Sequence, residues 1–155
     1  MRLELTRRGD YGVRAMVALA MVTQEDAGAI APRRLSVRQI AEAMGIPPAI
    51  LPSVMHHLLR AGLVQAQEGR SGGYALARPT TSISLLDVIE AVEGDARPRT
   101  CVLRGGACRG SGHCAVHTVF VRAHEQLRGE LGRAKLAEVA PGALTVESAV
   151  PADSR

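Results

Sequence analysis

Near the start of the chain Tyr11, Val13, Met16, Val17, Ala20 and Met21 recur at three- and four-residue intervals. That spacing predicts a helix with one face turned to a core. Ser36 followed three residues later by Gln39 is a capping-box signal, and Ile40, Ala41 and Met44 supply the apolar face of a second helix that Gly45 ends. Pro47-Pro48 reopens the chain, and Leu51, Val54, Met55, Leu58 and Leu59 give a third helix that stops at Gly62. Two short helices joined by a tight glycine-containing turn form a helix-turn-helix pattern, whose second helix enters the DNA major groove. Many all-helical cores contain such a pair, so the surroundings have to decide.

Those surroundings are short apolar runs, Val64 to Ala66 and Tyr74 to Ala77, on either side of Gly69-Arg70-Ser71-Gly72-Gly73. They read as a β-hairpin with a glycine-rich tip. A helix-turn-helix followed directly by a hairpin is a winged helix, with Arg70 at the tip of the wing, where it meets phosphate or the minor groove. Ser84 with Asp87 is a second capping signal, opening a helix through Leu85, Leu86, Val88, Ile89 and Val92 that ends at Gly94. Residues 95–112 have no periodicity and contain Pro98, Gly105, Gly106, Gly110 and Gly112, so they form a loop. From Cys114 onward Val116, Val119, Phe120, Ala123, Leu127 and Leu131 recur at helical spacing. A long helix with one apolar stripe must bury it, either within its own chain or against a second copy.

Composition narrows the picture. A length of 155 residues is about one domain, and a hydrophobic fraction of 46% is enough to build a core. Aromatics contribute only 2%, which argues against single-strand nucleic-acid platforms and sugar-binding clefts, both built on stacked rings. No apolar run reaches the roughly 18 residues of a membrane span, and Met16 to Val22 lacks the surroundings of a secretory signal. A cytoplasmic location is expected. Of the net charge of +4, all the excess lies in residues 1–79, where ten Arg face six acids. Lys135 is the sole lysine, a bias that suits bidentate phosphate or guanine contacts and equally suits a GC-rich genome.

The three cysteines fall within fourteen residues as Cys101-x6-Cys108-x5-Cys114, and His117 follows as x2-His. Thiolate and imidazole are the ligands that iron and zinc prefer, and a glycine-rich loop lets backbone wrap closely around an ion or cluster. Cys114 and His117, three apart at a helix start, share a face. Arg104, Arg109 and the helix amino terminus would lower thiol pKa values. Three cysteines and one histidine also form a normal tetrahedral zinc set, and spacing alone does not separate the two metals. His113, beside Cys114, ranks below His117 as a ligand. No CxxC pair is present to suggest an electron carrier or a thiol-redox enzyme.

Taken in order, "GDYGVRAMVALA", "SVRQIAEAMGIPPAILPSVMHHLLRAGLV", "GRSGGYALARP", "ISLLDVIEAVEG" and the cysteine loop resemble the Rrf-type winged-helix regulators, the family that includes IscR and NsrR. The resemblance covers residues 1–140 or so and implies a mainly α protein: a winged helix-turn-helix with a small β-hairpin wing and a long C-terminal dimerisation helix. It divides the chain into a DNA-binding domain (1–94), a cysteine-rich cluster-binding loop (95–113), a dimerisation helix with a C-terminal helix (114–147) and a flexible tail (148–155). It implies a non-enzymatic homodimer on double-stranded promoter DNA, whose affinity changes when an iron-sulfur cluster is lost, oxidised or attacked by nitric oxide. Cys101, Cys108, Cys114 and His117 match a 2Fe-2S set. The "GDYGVRAM" start is also similar to relatives in which an aspartate of the partner subunit completes a 4Fe-4S cluster, and Asp10 stands at that position; otherwise Asp10 caps helix one. His117 is preferred because it is local to the loop.

Ser36, Arg38, Ser53, His56 and His57 on or near the two helices, with Arg70 on the wing, are the candidate DNA contacts; a solvated helix face serves equally for the two histidines. Three departures from the family pattern stand out. Pro52 falls in the first turns of the recognition helix, where a proline beyond the first turn would bend or shorten it. Glu68 precedes the wing glycine where relatives often carry Arg, and the first cysteine gap is six residues, against five in the closest pattern.

Overall fold

The computed structural model describes residues 4–25, 33–94 and 114–140. The elements in chain order are α1 (Arg7–Glu25), α2 (Val37–Met44), α3 (Leu51–Arg60), β1 (Val64–Gln67), β2 (Gly73–Leu76), α4 (Leu85–Glu93), α5 (Ala115–Arg133) and α6 (Leu136–Val139). This is the mainly helical winged architecture expected from the sequence, with a two-stranded antiparallel hairpin as the wing. The loop with Cys101 and Cys108, and the tail from 148, lie outside the described residues.

Helix α1 is the centre of the fold. Every residue from Ala15 to Ala20 is buried, so the helix is enclosed on all sides there and not along one stripe. It packs against α2, α3, α4, α6 and β2. Its start lies earlier than the apolar period suggested, because Thr6 and not Asp10 is the cap: the Thr6 hydroxyl accepts from the Gly9 amide at 3.2 Å. The same hydroxyl donates to Glu93 Oε1 at 2.7 Å, tying the start of α1 to the end of α4. Gly9 and Gly12 bring the two helices together. A Cβ at Gly9 would fall 2.0 Å from Glu93 Oε1, and one at Gly12 would meet both Val92 methyls at 3.1 Å.

Both capping boxes form. Ser36 accepts from the Gln39 amide and Gln39 reaches back to the Ser36 amide; Ser84 and Asp87 do the same at α4. Each is worth about 1 kcal/mol. Gly45 closes α2 in the left-handed region at φ 61°. The turn it makes sets α3 against the core through Leu51, Val54, Met55 and Leu58. Leu59, grouped with that apolar face by periodicity, is instead 39% exposed. Pro52 lies in the first turn of α3, where its missing N–H had no helical partner to lose, so it leaves the helix neither bent nor shortened.

The hairpin pairs Val64 with Leu76 at its base and Gln67 with Gly73 near its tip. A bridge between Leu35 and Tyr74, with N–H···O bonds of 2.9 and 2.8 Å, adds the segment before α2 as a third rung. At the other end of the fold, the Ser84–Lys135 bridge and the Leu136 amide bond to the Ile83 carbonyl bring α6 back to the winged helix. Leu136 and Ala140 thereby join the core. Helix α5 itself has no buried residue.

Candidate DNA-binding surface and cysteine-loop junction

The winged helix places the candidate DNA contacts on three adjoining pieces. Ser36 is at the start of α2, beside the base of the wing: a Cβ built on Gly73 would lie 3.1 Å from the Ser36 amide nitrogen. Its hydroxyl is engaged in the capping box. Arg38, fully exposed, donates to Glu42 one turn on at 2.7 Å. That hydrogen bond and the Glu42 charge raise the Arg38 pKa further above its ordinary value.

On α3 the two histidines separate. His56 is exposed, whereas His57 is half-buried with Nδ1 2.6 Å from the Ser53 carbonyl, so its ring is tied back along its own helix. Ser53 is exposed in the first turn of the helix. Arg70 is exposed at the wing tip, two residues beyond the exposed Glu68, with the Gly72 amide closing the turn on the Gly69 carbonyl at 3.0 Å. Arg60, exposed at the end of α3, and Arg33, exposed ahead of α2, extend the basic surface; both are visible in the sequence, but only the helix limits show that they border the helix pair.

At the other candidate site Cys114 is the N-cap residue of α5 and carries a free thiol. His117 is the third residue of that helix, half-buried like Cys114. The two therefore share the first turn, as the spacing suggested. Among the described residues no cluster of three or more His, Cys, Asp or Glu side chains gathers to hold a metal; Cys101 and Cys108 lie outside them.

Asp10 is in the first turn of α1 and accepts from Arg14 Nε at 2.9 Å. Arg14 also donates to the Met44 carbonyl at 3.3 Å, at the turn between α2 and α3. One guanidinium thus joins the alternative ligand position to the helix-turn-helix corner, a connection that no periodicity in the sequence announces.

Residues 5–142 match the Rrf2 family, described as iron-dependent transcriptional regulators. The chain belongs to this family. A Mycobacterium tuberculosis (strain H37Rv) protein named as an HTH-type transcriptional regulator is 32% identical over 151 residues, 97% of this chain and 89% of that protein. The HTH-type transcriptional regulator IscR of Escherichia coli (strain K12) is 31% identical over 137 residues, 88% of this chain and 80% of that one. Among solved structures, T. potens IscR superimposes with a TM-score of 0.68 at 26% identity, covering 97% of this chain and 94% of that chain. CymR, the global cysteine regulator of B. subtilis, matches with a TM-score of 0.72 at 24% identity, covering 91% and 98%, a likeness of fold. The chain is therefore a DNA-binding transcriptional regulator and not an enzyme. No helix among the described residues is long and apolar enough to cross a membrane.

Proposed function

We propose that this Rrf2-family regulator is a homodimer whose affinity for promoter DNA is switched by an iron-sulfur cluster at Cys101, Cys108, Cys114 and His117, with a 2Fe-2S cluster preferred. The observation that carries the reading is the free Cys114 thiol at the N-cap position of α5, where it makes no capping hydrogen bond, with His117 in the same turn. A soft sulfur donor and a borderline imidazole stand together at the first turn of the helix that follows the cysteine-rich segment, a donor set that fits the group. When bound, the cluster supplies a centre that reacts with oxidants and nitric oxide.

The protein's part is to convert the state of that junction into a change at α3. Helix α4 precedes the loop and α5 follows it, and the Glu90–Arg128 ion pair joins the two. Glu93 in turn holds the cap of α1. A change in the segment between α4 and α5 therefore bears on both helices that flank it, and through α1 on the helix-turn-helix. A coupling of about 1 to 3 kcal/mol, or roughly 5- to 150-fold in affinity, is the expected size of such a switch. Ser36, Arg38, Ser53, His56 and Arg70 are the proposed DNA contacts; His57, tied to the Ser53 carbonyl, is the weakest of the set.

Iron and acid-labile sulfide per chain, measured with a visible spectrum on protein purified without oxygen, test the reading. About two of each per chain supports the local set, and about four of each moves the fourth ligand toward Asp10 of the partner subunit, in exchange for its bond to Arg14, or toward an exogenous group. Colourless protein with about one zinc per chain would replace the sensor by a regulator with a structural zinc site and constitutive DNA binding.

A further inference from the structure

The winged fold presents α3 as the recognition helix, and its exposed side can be read residue by residue. Leu51, Val54, Met55 and Leu58 face the core. On α3 itself Pro52, Ser53, His56, Leu59 and Arg60 are exposed, and Ala49 and Ile50 are exposed just ahead of it. Residues at the start of a recognition helix lie deepest in the major groove. Here that end is Ala49, Ile50, Pro52 and Ser53: three apolar groups and one hydroxyl.

What is missing is as informative. The chain has 18 arginines, yet the first two turns of α3 hold none, and the first guanidinium is Arg60 at the helix end. Bidentate Arg or Lys on guanine, the commonest specific contact, is therefore not available to the leading end of this helix, nor is the Asn or Gln pairing with adenine. An exposed apolar side chain in the groove has one base-specific partner, the 5-methyl group of thymine. Pro52 suits this role because it sits in the first turn, where its fixed ring leaves the helix straight. Arg60, at the other end, is placed for phosphate.

We infer that Ala49 and Pro52 read thymine methyl groups in each half-site, so that the protein selects T·A pairs under the first turn of α3 by apolar contact. The inference rests on α3 being the recognition helix but not on any cluster. It commits this chain to a thymine-marked operator, with Ser53 and His56 supplying the polar contacts to neighbouring base edges.

The test uses the full chain. A preferred duplex is first selected from a randomised pool, and each thymine of a half-site is then replaced singly by deoxyuridine, which differs only by the lost methyl. Affinity is expected to fall about four-fold at one or two adjacent positions, the factor for withdrawing one methyl-sized group from water. Pro52→Gln is expected to shift the preferred base there from thymine to adenine, with an unchanged circular dichroism spectrum. A protein that selects a site but binds every deoxyuridine duplex as tightly as its parent overturns the methyl readout alone. One that selects no sequence overturns both this inference and the assignment of α3.

Discussion

The winged helix and the long helix α5 close their apolar surfaces in opposite ways. In the first, α1 is surrounded by its neighbours and α2 and α4 each carry a complete capping box, so a single chain finishes the core. In the second, a helix of 19 residues has no buried position and leaves Val116, Val119 and Phe120 exposed at 38%, 65% and 39%. Its attachments to the rest include the Glu90–Arg128 pair and the Leu85 amide bond to the Ala134 carbonyl at its end, before Leu136 of α6 returns to the core. A surface unit that is complete can read DNA alone, but only weakly. One that leaves an apolar stripe open asks for a second surface, and the proposed homodimer gives it a copy of itself.

The sharpest way to break this contrast is to charge the open stripe. Val119→Glu puts a carboxylate on the most exposed apolar residue of α5 and is expected to give a folded monomer. Losing the link between two half-site contacts lowers affinity for a palindromic duplex by roughly 10²-fold or more. Light scattering and fluorescence anisotropy read the two effects. A variant that stays dimeric and binds as the parent does would remove α5 from the interface.

The opposite manipulation acts on the closed unit. Met55 is fully buried between α3 and the core, so Met55→Ala leaves a cavity and is expected to cost about 2 to 5 kcal/mol. Urea unfolding at constant protein concentration measures it. A loss below about 1 kcal/mol would mean that the site collapses around the smaller side chain and that the core is looser than its burial suggests.

Much of this contrast was legible in the residues. Capping boxes, the Gly45 turn and the wing are local chemistry, written in two to five adjacent residues, and each formed where it was read. Non-local features were not legible. The enclosure of α1 has no period of its own, since Ala15 and Ala18 satisfy a core as well as a surface. The Thr6–Glu93 clamp joins residues 87 apart, and Gly9 matters only because Glu93 passes over it. Pro52 looked like a threat to α3 until the helix limit at Leu51 placed it in the first turn. Of the four residues read as a donor set, the spacing of Cys114 and His117 did place both at the first turn of α5. The Arg14 bond to Met44 depends on how α1 crosses α2 and could not be counted from spacing.

The smallest expected effect concerns the wing tip, set against the leading end of α3. The leading end of α3 is apolar and hydroxylic, whereas Arg70 is an exposed cation on a glycine-rich tip with Glu68 nearby. If Arg70 meets phosphate, its replacement weakens all sequences alike and removes about one released counterion per wing. Arg70→Ala is thus expected to reduce the slope of log affinity against log salt by about 1 per half-site while leaving the selected sequence unchanged. The Glu68 carboxylate works against the same phosphate, so Glu68→Gln should strengthen binding at low salt and lose that advantage as screening rises. Binding isotherms at several salt concentrations separate the two variants. An unchanged slope in Arg70→Ala would take the wing out of the phosphate contact and leave orientation on the duplex to Arg60 and the start of α2.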